Sequence, residues 1–172
     1  MTTSPPTTRL SSLVDIKQYF AQSTTPYFFV STSNFNMMGM HDWVRGWHNL
    51  NLLDCFDGKH PRVTVVPDDH SKVFTSIEDI NAYLLQSPAV HELLQSKLTQ
   101  NHPPCKAIFL FFDPAIESLC KELGLEIVLP SHALVREIDS KIVTTELGNR
   151  AGVPSVPNVL TKITSYSDLV EA

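Results

Sequence analysis

The chain has 172 residues, 42% hydrophobic and 18% charged, with a formal net charge of −5. A chain of this length buries about two-thirds of its unfolded surface, enough for a real core, and its composition is that of a globular protein rather than a disordered one. The negative balance argues against a nucleic-acid partner, because phosphate binding wants a basic face.

Residues 1–8 are rich in Ser, Thr and Pro and read as a disordered arm. Leu13, Ile16, Tyr19 and Phe20 mark a short amphipathic helix. Residues 27–32 are aromatic and β-branched, the composition of a buried strand. Over 42–53 the residues Trp43, Val44, Trp47 and Leu50, with Leu53 at the end, fall on a helical stripe, so a helix is predicted. Asp57-Gly58 is a turn signal. A second strand spans 62–66 and closes at Pro67. Ser76 and Asp79 resemble a capping box for a helix running to about Gln86. Ser87-Pro88 opens another helix, with proline at its tolerated first position. The apolar run 107–112 is a third strand. Asp113-Pro114 caps a helix that ends at Gly124, and 125–129 is a fourth strand. Short helices start near Ser131 and Ser140.

Strands therefore alternate with helices. Runs such as I-F-L-F-F imply burial on both faces, as parallel sheets require. The expected fold is α/β: a three-layer Rossmann-like domain with a mainly parallel sheet, whose ligands bind beyond the carboxyl ends of the strands. Cys55, Cys105 and Cys120 form no C-x-x-C pair, and an odd, sparse set fits a reducing, cytoplasmic setting. The N-terminus has no apolar core of signal-peptide length, and no apolar run spans a membrane, so no membrane role is expected.

Three candidate sites lie along the chain. After the first strand come Ser33, Asn34 and Asn36, followed by Gly39. Small polar side chains and free amides there can bind an anion, can simply form a turn, or can face a partner domain. Next, His41 and His48 are seven apart, on one face of the predicted helix, with His60 and His70 further on. Their spacing fits no standard zinc pattern, so no metal is expected. Trp43 and Trp47 in the same segment read as core, and Arg45 is placed to meet a substrate carboxylate or to sit in solvent. Third, Asp68, Asp69 and His70 offer paired carboxylates beside a histidine, a pattern for acid–base work that a turn explains equally well. Asp113 is explained as a cap, and Cys120 has a helical core spacing with no activating neighbour.

The richest stretch is 140–157, S-K-I-V-T-T-E-L-G-N-R-A-G-V-P-S-V-P. Ile142, Val143, Leu147 and Ala151 recur at helical spacing behind Asp139 as the expected N-cap. Gly152 supplies a left-handed C′ residue, and Pro154 and Pro157 forbid further helix. Lys141 sits in the first turn, where the macrodipole disfavours a cation unless an anion shares the space.

This stretch resembles the junction before the ATP-grasp domain in the ATP-grasp ligase superfamily, biotin carboxylase-like members included. There a D-K pair opens a helix that ends in A-G-V-P-x-x-P; here Ser140 separates Asp139 from Lys141. The resemblance covers 27–172. It implies an arm over 1–25, a pre-ATP-grasp α/β domain over 26–153 and the start of an ATP-grasp domain over 154–172. It implies activation of a small carboxylate as an acyl phosphate by ATP, with Mg, for attack by an amine or thiol. It also implies that Lys141 contacts the nucleotide. The magnesium and phosphate clamp of such ligases lies in the ATP-grasp domain proper, so the chain is expected to be inactive alone and to need that domain or a partner chain. Val159, Leu160, Ile163 and Leu169 would then lack a cover, and a homodimer is one way to bury them. Two other readings stay open: a free-standing nucleotide- or metabolite-binding module, and a subunit that docks a separate ATP-grasp partner.

Overall fold

A computed structural model describes residues 10–55, 60–67, 69, 71–98 and 103–171. The arm over 1–8 and the turn at Asp57-Gly58 lie outside them. The chain divides into two compact units, Met1–Leu129 and Pro130–Ala172.

The first unit is built on five strands: β1 Tyr27–Ser31, β2 Trp47–Asn51, β3 Val63–Val65, β4 Cys105–Ile108 and β5 Leu125–Ile127. Their order is β3-β2-β1-β4-β5, and every pairing is parallel. The architecture is thus α/β and Rossmann-like. β1 lies in the middle, and Phe28, Phe29 and Val30 are almost fully buried. Phe29 packs with Val44 and Trp47 on one face, joined by Phe20 from α1 (Leu13–Gln22) and by Met40 of α2 (Met40–Trp43). The opposite face buries Phe28, Val30, Leu50 and Ala107. Helices α3 (Ile77–Leu85), α4 (Pro88–Leu98) and α5 (Pro114–Glu122) cover it with Leu84, Leu85, Val90, Leu94, Ile116 and Cys120.

The helix starts are where side-chain chemistry puts them. Ser12 and Asp15 form a reciprocal capping box on α1. Ser76 Oγ accepts from Asp79 N, 3.1 Å, while the Asp79 carboxylate reaches back to Thr75 N, 3.0 Å. Asp113 caps α5 through Ile116 N at 2.8 Å.

The predicted helix over 42–53 is corrected. Only Met40–Trp43 is helical, and Trp47–Asn51 is a strand paired along its whole length with β1. Two things override the helical stripe. Asn49 and Asn51 are weak helix formers. Gly46 lets the chain press against the segment before β1, with Tyr27 N donating to Gly46 O at 2.9 Å. His41 and His48 therefore do not share a helical face. Trp47 is core, but Trp43 is 47% exposed, with the Lys17 ammonium 3.9 Å above its ring. The third strand is also shifted, from 107–112 to Cys105–Ile108. Its partners decide this: β1 pairing ends at Ile108 and β5 pairing at Ala107, so Phe109–Phe112 continues as loop. The fourth strand stops at Ile127 rather than 129.

In the second unit, α6 (His132–Asp139) and α7 (Lys141–Arg150) meet at Ser140. Ser140, not Asp139, caps α7: its Oγ accepts from Val143 N, while Asp139 is the last residue of α6. The Thr144 hydroxyl donates to Ile138 O and Ser140 O, tying the two helices. The end of α7 follows the expected pattern. Gly152 has φ +71°, its N–H bonds Asn149 O at 3.1 Å, and Val153 N bonds Gly148 O at 2.9 Å, a complete Schellman motif. Residues 153–165 form neither helix nor strand. A short α8, Tyr166–Glu171, is capped by Ser165 and Asp168. The hydroxyls of Thr164 and then Ser165 hold the Asp168 carboxyl down at about 2. Val159 is 62% exposed, Ile163 40% and Leu169 59%.

One substitution tests the packing of β2 on β1. A Cβ on Gly46 would stand 1.9 Å from Thr25 O and 2.9 Å from Thr25 C, both backbone atoms that cannot swing away. Gly46→Ala is expected to cost about 1–3 kcal/mol or more in urea unfolding. A midpoint equal to that of the parent protein would refute the close approach.

Candidate functional site

In a sheet of order 3-2-1-4-5 the chain changes direction between β1 and β4, and the crevice beyond their carboxyl ends is the natural ligand position. Ser33 and Asn34 lie there, directly after β1. Asn36 follows in a single 3-10 turn, Phe35–Met37, and Gly39 precedes α2 with φ +80°. Asn34 is 1% exposed, yet neither its Nδ2 nor its Oδ1 has a hydrogen-bond partner among the described residues. Asn51, at the carboxyl end of β2 and in register with Ser31, is fully buried with both amide atoms equally unpartnered. Asn81 of α3 donates from Nδ2 to Phe111 O, in the loop after β4, at 2.9 Å, and leaves Oδ1 unpartnered. Three buried amides thus lie around one end of the sheet with unmet bonding capacity. A buried polar group left without a bond costs about 1–3 kcal/mol. A polar ligand or ordered water at this end removes that cost. The rim is apolar: Phe35 is 66% exposed, Met38 62% and Phe111 54%.

Arg45 is not part of this group. It precedes β2 at the opposite, amino edge of the sheet. There a cavity of about 390 Å³ is lined by Arg45, Arg62, Lys97 and His48, over a floor of Phe28 and Trp47. His48 Nε2 lies 2.8 Å from Thr64 Oγ1, and its ring is 5.9 Å from that of Phe28. Burial, followed by the charges of Lys97, His60 and Arg62, pushes the His48 pKa down to about 4.

The other sequence candidates separate. His41 and His60 stack edge to face at 4.6 Å, but no three His, Cys, Asp or Glu residues among the described ones are grouped to hold a metal ion. Asp69 Oδ1 accepts from Ser71 N and Oγ, the geometry of a turn; Asp68 and His70 lie outside the described residues. Burial pushes the Cys120 thiol up to about 12, which removes it as a nucleophile. Lys141 is exposed at the first position of α7, in the second unit. Asn49, Asn51, Asn81, Arg62 and Lys97 were not singled out from sequence. The period-2 pattern W-H-N-L-N carried a signal for the first two, which the helical reading hid.

No family model, curated protein or solved structure matches the chain. No helix among the described residues is long and apolar enough to cross a membrane.

Two measurements bear on these edges. Asn51→Leu replaces an unpartnered amide by an apolar group of similar shape. It is expected to stabilise the unliganded protein by about 1 kcal/mol in chemical denaturation; a loss of that size would mean that Asn51 is already satisfied. His48 gives a pH signature. The unfolded ring titrates near 6.5 and the folded one near 4, so above 6.5 both states are neutral. As pH falls from 6.5 to 4 the unfolded state takes the proton first, and stability drops by at most about 3 kcal/mol. His48→Gln is expected to flatten that part of the stability–pH curve, and an unchanged slope would contradict the buried neutral ring.

Proposed function

We propose that this chain is the N-terminal, pre-ATP-grasp domain of an ATP-grasp carboxylate ligase. The observation that carries the reading is α7. It opens on Lys141, in a first turn capped by Ser140, and closes on a Schellman turn at Gly152 before the V-P-S-V-P exit. The all-parallel 3-2-1-4-5 sheet upstream is of the kind such a domain requires. In this reading ATP and Mg are held chiefly by the ATP-grasp domain. Lys141 and the α7 amides approach the phosphates from their own side. A small carboxylate substrate meets the carboxyl edge of the sheet, where Ser33, Asn34 and Asn51 lie. The apolar rim of Phe35, Met38 and Phe111 is what a covering domain would bury. The chemistry is formation of an acyl phosphate, which an amine or thiol then attacks.

A second reading has one observation in its favour. The unpartnered amides of Asn34, Asn51 and Asn81 also suit a free-standing module that binds a polar metabolite without chemistry.

The isolated chain is expected to release no phosphate from ATP with pooled carboxylates and amines. In the full-length protein that carries this domain, Lys141→Ala is expected to raise the ATP Kd several-fold, about 1 kcal/mol, with an unchanged Tm. Unaltered nucleotide affinity removes Lys141 from the site. Turnover by the isolated chain overturns the ligase-domain reading. Metabolite binding by the isolated chain, with no ATP dependence in the full-length protein, selects the module.

A further inference from the structure

We propose that the cavity at the amino edge of the sheet binds a small molecule bearing a phosphate monoester, through Arg45, Arg62 and Lys97. Three cations reach one cavity from three elements: Arg45 before β2, Arg62 before β3 and Lys97 in the last turn of α4. Among the described residues no carboxylate lines it, in a chain with 18 acidic and 13 basic residues. Like charges gathered this way repel one another, and an anion between them reverses the sign. Arg62 is held in place. Its Nη1 donates to His41 O at 2.6 Å and to Val44 O at 3.4 Å, which leaves Nε and Nη2 as further donors. A fixed guanidinium fork beside a second arginine and a lysine suits a dianionic phosphate better than a single carboxylate. The close approach of Gly46 to Thr25 fixes the wall between the first two strands.

Size and floor point to an organic ester rather than the bare ion. The cavity, about 390 Å³, falls within the roughly 300–1,000 Å³ of small-ligand sites. Inorganic phosphate leaves most of it empty. Phe28, Trp47, Pro26 and Pro61 give an apolar surface for the remainder of the molecule. The site lies on the edge opposite Asn34 and Asn51 and does not involve Lys141, so it stands or falls apart from the ligase reading.

The test is calorimetry on the intact chain at low salt with phenyl phosphate and inorganic phosphate. Phenyl phosphate is expected to bind roughly tenfold tighter than inorganic phosphate. The Arg45→Gln/Lys97→Gln double variant is expected to weaken phenyl phosphate binding by roughly tenfold or more. Arg62 is left intact because it supports the loop. If the double variant does not fold, Lys97→Gln alone carries the comparison. In wild-type protein followed by NMR, phenyl phosphate is expected to move the His48 titration upward, because an anion offsets the Lys97 and Arg62 charges that act on it. No heat with either probe, equal affinity for both, unchanged affinity in the folded variant, or a His48 titration that stays in place overturns the proposal.

Discussion

The structure of the first unit depends on β1 being bonded on both sides. Its residues pair with β2 from Tyr27 to Ser31 and with β4 from Tyr27 to Phe29. A strand in that position has no edge and no wet face, so its side chains are Phe28, Phe29 and Val30. The β2 contact is possible only because Gly46 has no side chain where Thr25 passes. Once those ladders form, the carboxyl end of β1 and the amino edge of the sheet are both fixed in space, and each carries a cluster of polar residues.

The two edges have different chemistry. At the carboxyl edge the polar groups are amides, buried and uncharged. Asn34, Asn51 and Asn81 can donate and accept but impose no sign on what they meet. At the amino edge the groups are cations, with His48 kept neutral among them. A low-dielectric wall of Phe28 and Trp47 behind such charges strengthens their field toward the cavity.

Much of this architecture was legible in the sequence, and the failures have physical causes. The caps at Ser76 and Asp113 are local: side chain and amide lie within three or four residues of each other, so pattern is enough. The turn at Gly152 is local for the same reason. β2 was not legible because Trp43, Val44, Trp47 and Leu50 satisfy a helical period, whereas the ladder that decides the matter lies some twenty residues upstream in β1. The shift of β4 is also non-local. Phe109–Phe112 is as apolar as a strand, but the pairing with β1 stops at Ile108 and that with β5 at Ala107. At the candidate site Asn34 stood out because Ser, Asn and Gly cluster in its loop. Asn51 and Asn81 did not, since a polar residue inside a strand or helix gives no hint of its burial. Asp139 failed as a cap by a single position, because Ser140 both ends α6 and starts α7.

The two tryptophans, four positions apart in the chain, sit in unlike surroundings. Trp47 is 4% exposed, with its indole N–H bonded to Asn49 Oδ1 at 3.1 Å, and it forms part of the cationic cavity. Trp43 is 47% exposed beneath Lys17. The chain contains no others. Its intrinsic emission is therefore the sum of two separable colours: a blue component from the sheet interior and a red, quencher-accessible one from the surface. Replacing Trp43 by phenylalanine leaves a single tryptophan, in the wall of the amino-edge cavity, so one spectrum excited at the indole band follows both the integrity of the β1–β2 ladder and the state of that pocket.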